Sequence, residues 1–214
     1  KGQAFQPDLD YINSLRQELE SAREQLRRDH RQKSGLHLAH VYAQAVEKVV
    51  LRHINHVAEQ MKTNHLAGEL SLVAVGGFGR MELALYSDVD FLFVTERQPT
   101  EEQEEFLRAV IRPLFDLRID LGYGIHSVRD CLNFLGNDAS KATALLACRH
   151  LWGSDQLTEE LQERLQAKLH KHHKLWFVRA LQEERRERHA AFGDTVFLLE
   201  PHVKMSRGGM RDLH

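Results

Sequence analysis

Two aspartates, Asp88 and Asp90, stand two residues apart at the head of an apolar run, Phe91-Leu92-Phe93-Val94. On a β-strand, side chains two apart point to the same face, so this spacing sets two carboxylates side by side. Paired hard oxygen donors hold Mg2+ where water and substrate phosphates supply its other ligands. Upstream, across a ten-residue spacer, the run Leu72-Val73-Ala74-Val75 ends in Gly76-Gly77, followed by Phe78-Gly79-Arg80. Glycines after a strand let the backbone approach an anion with no side chain in the way. A helix beginning just beyond would aim its unpaired N–H groups at that anion, and Arg80 would add a charged donor. A phosphate cradle followed by an acidic pair describes a site for nucleotidyl transfer. Each part alone is weak, since Asp-x-Asp recurs by chance and Gly-Gly is more often a plain turn. Their conjunction in this order is the sharper signal.

The elements that must position these residues show as changes of period. From about Asp8 to Lys33, Ile12, Leu15, Leu19, Ala22 and Leu26 form one apolar helical stripe. Gly35 breaks it. Ala43, Val46, Val50, Ile54, Val57 and Met61 then mark a second helix, with Gly68 as its stop. The two stripes predict an antiparallel pair docked on the rest. From Leu70 the texture turns to short strands: the run into Gly76, the run after Asp90, and a weaker third over Gly122 to Val128. A helix from about Thr100 to Leu117 separates the second and third, with Glu-rich first turns suited to the helix dipole and Pro113 ending or kinking it. After Asp138 a helical segment runs to Trp152 and stops at Gly153, and a longer one spans Ser154 to Ala191. The tail mixes a strand over Val196 to Leu199 with a loop rich in Gly, Lys and Arg.

Composition narrows the class. The 214-residue chain carries 29 basic and 31 acidic residues, a net charge of −2, which argues against a polyanion-binding surface, so no nucleic-acid partner is expected. No apolar run approaches the roughly 18 residues of a membrane span. Two cysteines, Cys131 and Cys148, exclude a disulfide framework and fit a reducing, cytoplasmic compartment as buried or boundary thiols. The chain opens Lys-Gly-Gln and stops soon after a Gly-Gly turn, so it reads as a piece of something longer. Several suggestive residues have plainer readings. His170-Lys171-His172-His173 on a helix points to different faces and reads as a solvated basic surface; His53 and His56, with no third ligand in view, read as surface or boundary positions. His126 is balanced between a base or phosphate donor and an ordinary core-edge histidine.

The longer stretch GGFGRMELALYSDVDFLF resembles the nucleotidyltransferase superfamily that shares the DNA polymerase beta fold, and within it the bacterial PII-protein uridylyltransferases and related nucleotidyltransferases. His126-Ser127-Val128-Arg129, Ala142-Thr143-Ala144-Leu145-Leu146 with Arg149, and Leu199-Glu200-Pro201-His202-Val203-Lys204 through Gly208-Gly209-Met210-Arg211-Asp212-Leu213 extend the likeness from about Leu70 to the end. The resemblance implies an α+β fold: a nucleotidyltransferase core with a small mixed sheet, an N-terminal helical pair and a C-terminal helical region. The expected divisions are residues 1–68, 69–136 and 137–214. It implies that Gly76, Gly77 and Ser87 contact the triphosphate and that Asp88 and Asp90 are the catalytic metal ligands, for Mg2+ or alternatively Mn2+. Lys204 and Arg211 join Arg80 as nucleotide-binding residues.

In the uridylyltransferases UTP is the donor and a tyrosine of a small signalling protein is the acceptor. The expectation is therefore transfer of UMP to a protein hydroxyl; the alternative is a regulatory module that binds nucleotide without turnover. Three positions depart from the pattern. Met81 stands where these enzymes commonly have glycine, and Met205-Ser206-Arg207 where they often read Glu-Gly-Pro. The third strand offers His126 and Ser127 where the superfamily often adds a carboxylate, with Asp116, Asp120 and Asp130 only nearby. A His-Asp dipeptide, expected of the metal hydrolase domain that removes the group, is absent from the sequence.

Overall fold

The two apolar stripes build an antiparallel helical pair. In a computed structural model, which describes Phe5, residues 7–195, Phe197 and residues 199–213, Asp8 caps α1 (Leu9–Asp29) through the Asp10 N–H. Ile12, Leu15, Leu19 and Leu26 are buried, as the stripe requires. Next to Ala22, Arg23 is buried as well, its Nε donating to the Tyr42 hydroxyl at 2.9 Å beside an ion pair with Glu20. Ser34 makes the break and caps α2 (Gly35–Met61), so Gly35 is the first residue of that helix. The helix ends before Gly68, at Lys62, whose φ of +58° turns the chain while its N–H bonds the Ala58 and Glu59 carbonyls.

The sheet follows. β1 (Leu70–Ala74) leads into a one-turn helix, α3 (Gly76–Gly79), and then β2 (Val89–Thr95). A crossover helix, α4 (Glu101–Phe115), connects β2 to β3 (Leu121–Ser127), which a parallel pair demands. Thr100 and Gln103 close a capping box at its start. Next come α5 (Val128–Phe134), α6 (Ala139–Leu146), β4 (Arg149–Gly153), α7 (Asp155–Lys168), a single π-helical turn at Leu169–His173, and α8 (Lys174–Ala191). The strand order is β3-β2-β1-β4, with β1 antiparallel to both its neighbours.

Alternation along the strands sorts their residues between two cores. Leu72, Ala74, Phe91 and Phe93 pack with Leu19, Val50, Phe106 and Val110 from α1, α2 and α4. Val73, Leu92 and Val94 face the other way, onto Cys131, Leu145 and Leu161 from α5, α6 and α7. Asp90 shares the face of Leu92 and Val94, at the end of β2 where it leaves that cover.

Several expectations change. The segment up to Trp152 is not one helix: α6 stops at Leu146, and Arg149–Gly153 forms an edge strand on β1, so the sheet takes its fourth strand from beyond residue 136. His53 belongs to the core rather than the surface, its ring nitrogens 3.4 Å from the Tyr11 hydroxyl and 3.0 Å from the Val110 carbonyl oxygen. Of the strand expected over Val196 to Leu199, Val196 and Leu198 lie outside the described residues, and Phe197 and Leu199 are irregular. Among the described residues no helix is long and apolar enough to cross a membrane.

Candidate active site

The glycine turn is built by close backbone approach. Pairing of β1 with β2 extends past the strand end, where the Val75 N–H donates to the Asp90 carbonyl at 3.0 Å. Gly76 then takes φ +57°, the left-handed region that favours glycine. A Cβ on Gly79 would lie 2.0 Å from the Ala147 carbonyl oxygen, so only glycine lets α3 seat against the entry to β4. Phe78 is fully buried beneath the turn, with the Arg149 guanidinium 5.8 Å from its ring centre. Arg80 donates to Glu82 at 2.9 Å. Met81 has φ +62°: where the resembled enzymes carry glycine, the backbone takes a conformation that costs a side-chain-bearing residue energy.

The loop between turn and strand is pinned by buried Leu83 and by Ser87, whose hydroxyl accepts from the Ala84 N–H at 3.1 Å. Asp88 is exposed immediately before β2, and Asp90 is half-buried inside it. The Asp90 carboxylate lies between two glycines. A Cβ on Gly76 would be 3.6 Å from its Oδ2, and a Cβ on Gly122, its register partner on β3, would be 2.0 Å from its Oδ1. Burial, then the Asp88 charge, push the Asp90 carboxyl above the ordinary carboxylate range, with Asp120 adding to the push and Lys204 opposing it.

The tail supplies the facing wall. Lys204 Nζ is 3.9 Å from Asp88 Oδ1, and Arg211 Nε is 3.6 Å from Glu184 on α8. Gly76, Gly77, Arg80, Ser87, Asp88, Asp90, Lys204 and Arg211 all line one cleft of about 1790 Å3, bounded also by the α1–α2 junction and by α8. The eight residues singled out from the sequence are thus neighbours in space. The sequence reading missed Asp212, Arg188 and His189, which join the tail to α8, because nothing local links residues more than twenty positions apart. Burial alone would raise the Asp212 carboxyl, but the Gly208 N–H, Arg188 and His189 together hold it well below the usual range.

His126 does not line the cleft. It pairs with Val94 four residues along β3 from Gly122, roughly 13 Å away at ~3.3 Å per residue, and its ring meets Phe134 edge-on at 5.2 Å. Asp130 accepts from Ser127 and Gln98 at that same far end. Asp120 is the nearby acid whose charge reaches Asp90, its carbonyl accepting from the Val89 N–H at 2.8 Å. Among the described residues no cluster of three or more His, Cys, Asp or Glu is placed to hold a metal ion, so the acidic pair is a two-carboxylate set.

A mixed four-stranded sheet with a glycine turn leaving β1 and an acidic pair entering β2 is a nucleotidyltransferase core. The chain belongs to the family described as "Putative nucleotidyltransferase DUF294", whose model matches residues 18–124. Residues 176–214 match a second model, described as GlnD PII-uridylyltransferase. Curated relatives carry the name bifunctional uridylyltransferase/uridylyl-removing enzyme. That of Novosphingobium aromaticivorans is 35% identical over 208 residues, 95% of this chain and 23% of the relative. Those of Cereibacter sphaeroides (40% over 147 residues) and Ruegeria pomeroyi (39% over 144) align with 69% and 67% of this chain and 16% of each relative. The chain therefore spans less than a quarter of the length of these relatives.

Proposed function

We propose that this chain transfers a nucleoside monophosphate, UMP from UTP, to a side-chain hydroxyl such as a tyrosine of a small PII-like signalling protein, in the cytoplasm. The carrying observation is the Asp88/Asp90 pair at the edge of a cleft that also receives the glycine turn and two cations from the tail. The cleft exceeds the ~300–1,000 Å3 of a small-ligand pocket, leaving room for an acceptor side chain beside a nucleotide.

The donor set fits Mg2+, and Mn2+ takes the same oxygen ligands. Asp90 is pushed up by burial and by the charge of Asp88, so the pair is short of positive charge that Lys204 supplies only from 3.9 Å. A bound metal would neutralise charge on the attacked α-phosphate and the departing pyrophosphate. Asp88 and Asp90 would hold it. Gly76 and Gly77 bring backbone against the triphosphate, while the Ser87 hydroxyl, Arg80, Lys204 and Arg211 donate to its oxygens. The acceptor hydroxyl oxygen attacks the α-phosphorus in line and gives up its proton to solvent, while the bond from the α-phosphorus to the bridging oxygen breaks and pyrophosphate departs.

One observation favours the second reading, binding without turnover. On β3, the face beside Asp90 carries Gly122, Gly124 and His126, with no third carboxylate. Incubation with labelled nucleoside triphosphates, Mg2+ and a PII-like protein, beside an Asp88→Asn/Asp90→Asn variant, separates the two. Transfer lost in the variant is expected, and transfer that survives it overturns the metal assignment. Binding without turnover across all four nucleotides favours the regulatory module, whereas a strong preference for ATP overturns UTP alone.

A further inference from the structure

We propose that Asp212 is a positioning residue of the nucleotide site, a clasp that fastens the 202–212 loop to the end of α8 and so holds Lys204 and Arg211 at the cleft wall. This rests on the nucleotide-binding reading above. Along α8 the buried residues are Arg188 and His189, both polar, and the loop is what they meet. Arg188 has a side chain only 4% exposed. It donates to Asp212 Oδ1 at 2.8 Å and to the Met205 carbonyl at 3.2 Å. His189 Nε2 lies 2.9 and 3.0 Å from the two Asp212 oxygens, and the Gly208 N–H donates to Oδ2 at 2.8 Å. One carboxylate thus gathers donors from the helix and from the loop itself. Charge-assisted bonds of this kind are among the stronger ones available to a protein.

The loop is bonded into a unit. The Met210 N–H bonds the Val203 carbonyl at 2.9 Å and the Arg211 N–H bonds the Lys204 carbonyl at 3.1 Å, so the two cations are tied through backbone. The Lys204–Asp88 contact cannot hold this loop by itself: it spans 3.9 Å between side chains 58% and 55% exposed, and exposed pairs of that sort contribute little. Asp212 is therefore the most buried carboxylate fastening the loop, beside the Arg188–Met205 carbonyl bond and the more exposed Arg211–Glu184 pair, and its own bonds run to Arg188, His189 and Gly208.

The test uses the full-length protein with Asp212→Asn, Lys204→Ala and the double variant. Trypsin cleavage after Lys204, Arg207 or Arg211 is expected to quicken by ~10-fold or more in Asp212→Asn, the scale of losing a hydrogen bond to a charged group, with the thermal midpoint little changed. KM for UTP–Mg2+ should rise by a similar factor with kcat nearly unchanged. Because the clasp acts through the loop cations, Lys204→Ala/Asp212→Asn should be far less impaired than the product of the single effects. Should Asp212→Asn lower the thermal midpoint markedly, His189→Gln, which keeps the Arg188–Asp212 pair, is read instead and should show the same changes more weakly. Unchanged trypsin rates, or fully multiplicative effects on KM, overturn the proposal. Absence of any nucleotide binding or transfer by the native protein would overturn the functional reading alone, since the trypsin measurement needs neither.

Discussion

Replacing Gly122 with alanine adds one methyl group beside the acidic pair. Its Cβ would fall 2.0 Å from Asp90 Oδ1 and 3.2 Å from the carboxyl carbon, where ordinary contact begins near 3.4 Å. The oxygen must then retreat by about 1.4 Å, the difference between 3.4 and 2.0 Å. A carboxylate is the free end of a rotatable side chain, so it can swing, but it leaves the geometry shared with Asp88. A misplacement of about 1 Å costs on the order of 100-fold in rate, or about 2.7 kcal/mol of barrier at ~1.36 kcal/mol per decade. Stability should move by less than ~1 kcal/mol, because a strand gains about that much when glycine becomes alanine, and the gain offsets the displacement.

Gly79→Ala is the matched control. Its Cβ would also arrive at 2.0 Å, but from the Ala147 carbonyl oxygen, with the Ala74 carbonyl oxygen at 3.0 Å. Neither backbone group can rotate away, so the cost falls on the fold, at about 1–3 kcal/mol or more. Steady-state nucleotide transfer, Mn2+ titration and thermal unfolding on the two variants should show opposite profiles. Gly122→Ala should keep its midpoint and lose catalysis and metal affinity, and Gly79→Ala should lose its midpoint. A Gly122→Ala variant with native kcat/KM, or one as destabilised as Gly79→Ala, refutes the reasoning that Gly122 leaves room for Asp90.

The remaining predictions concern protonation. Because burial and Asp88 raise the Asp90 carboxyl, the folded chain binds that proton more tightly than the unfolded one. This contribution to stability is present in acid and is lost as pH rises from the ordinary carboxylate range through the raised value. Asp90→Asn should therefore melt above the native protein at pH 7, with the gap closing below roughly pH 4, while transfer collapses; an equal or lower midpoint at pH 7 contradicts this. His53 is pushed down to about 4 by burial from 6.5, so below pH 6.5 the unfolded chain takes the proton first. The fold should lose up to about 3 kcal/mol between those limits, and His53→Gln should flatten that part of the pH dependence of the urea midpoint. Burial pushes the Cys131 thiol up to about 12 and raises Cys148 as well. Neither should react with a disulfide reagent until the protein unfolds, and rapid native labelling of either would count against the core placement.

What could be read from the sequence depended on how far apart the cooperating residues lie. The two-residue spacing of Asp88 and Asp90 marks the acidic pair, and the glycine turn announces itself beside an apolar run, so these parts were legible. β4 was not: Arg149-His150-Leu151-Trp152-Gly153 is five residues long and follows a helical pattern, and only its pairing with β1 makes it a strand. His53 reads as polar until Tyr11 and the Val110 carbonyl, 42 and 57 residues away, meet both ring nitrogens. The clasp is hidden for the same reason, its carboxylate 23 and 24 residues from His189 and Arg188.

The division follows the chemistry. The residues proposed as metal ligands must keep a fixed mutual geometry, which two nearby positions at the start of one strand supply, so their spacing is local and visible. The cations proposed to meet the phosphates come from the far end of the chain, on the 202–212 loop. Their placement rests on long-range polar contacts that leave no period in the sequence. The acidic pair therefore marks where the proposed reaction sits, while the proposed cationic contacts lie on the tail, where Met205-Ser206-Arg207 departs from the Glu-Gly-Pro of the resembled enzymes. The backbone carbonyl that Arg188 holds is that of Met205, a contact made by main chain and so tolerant of the substituted side chain. That tolerance lets the loop keep its seat on α8 despite the altered sequence.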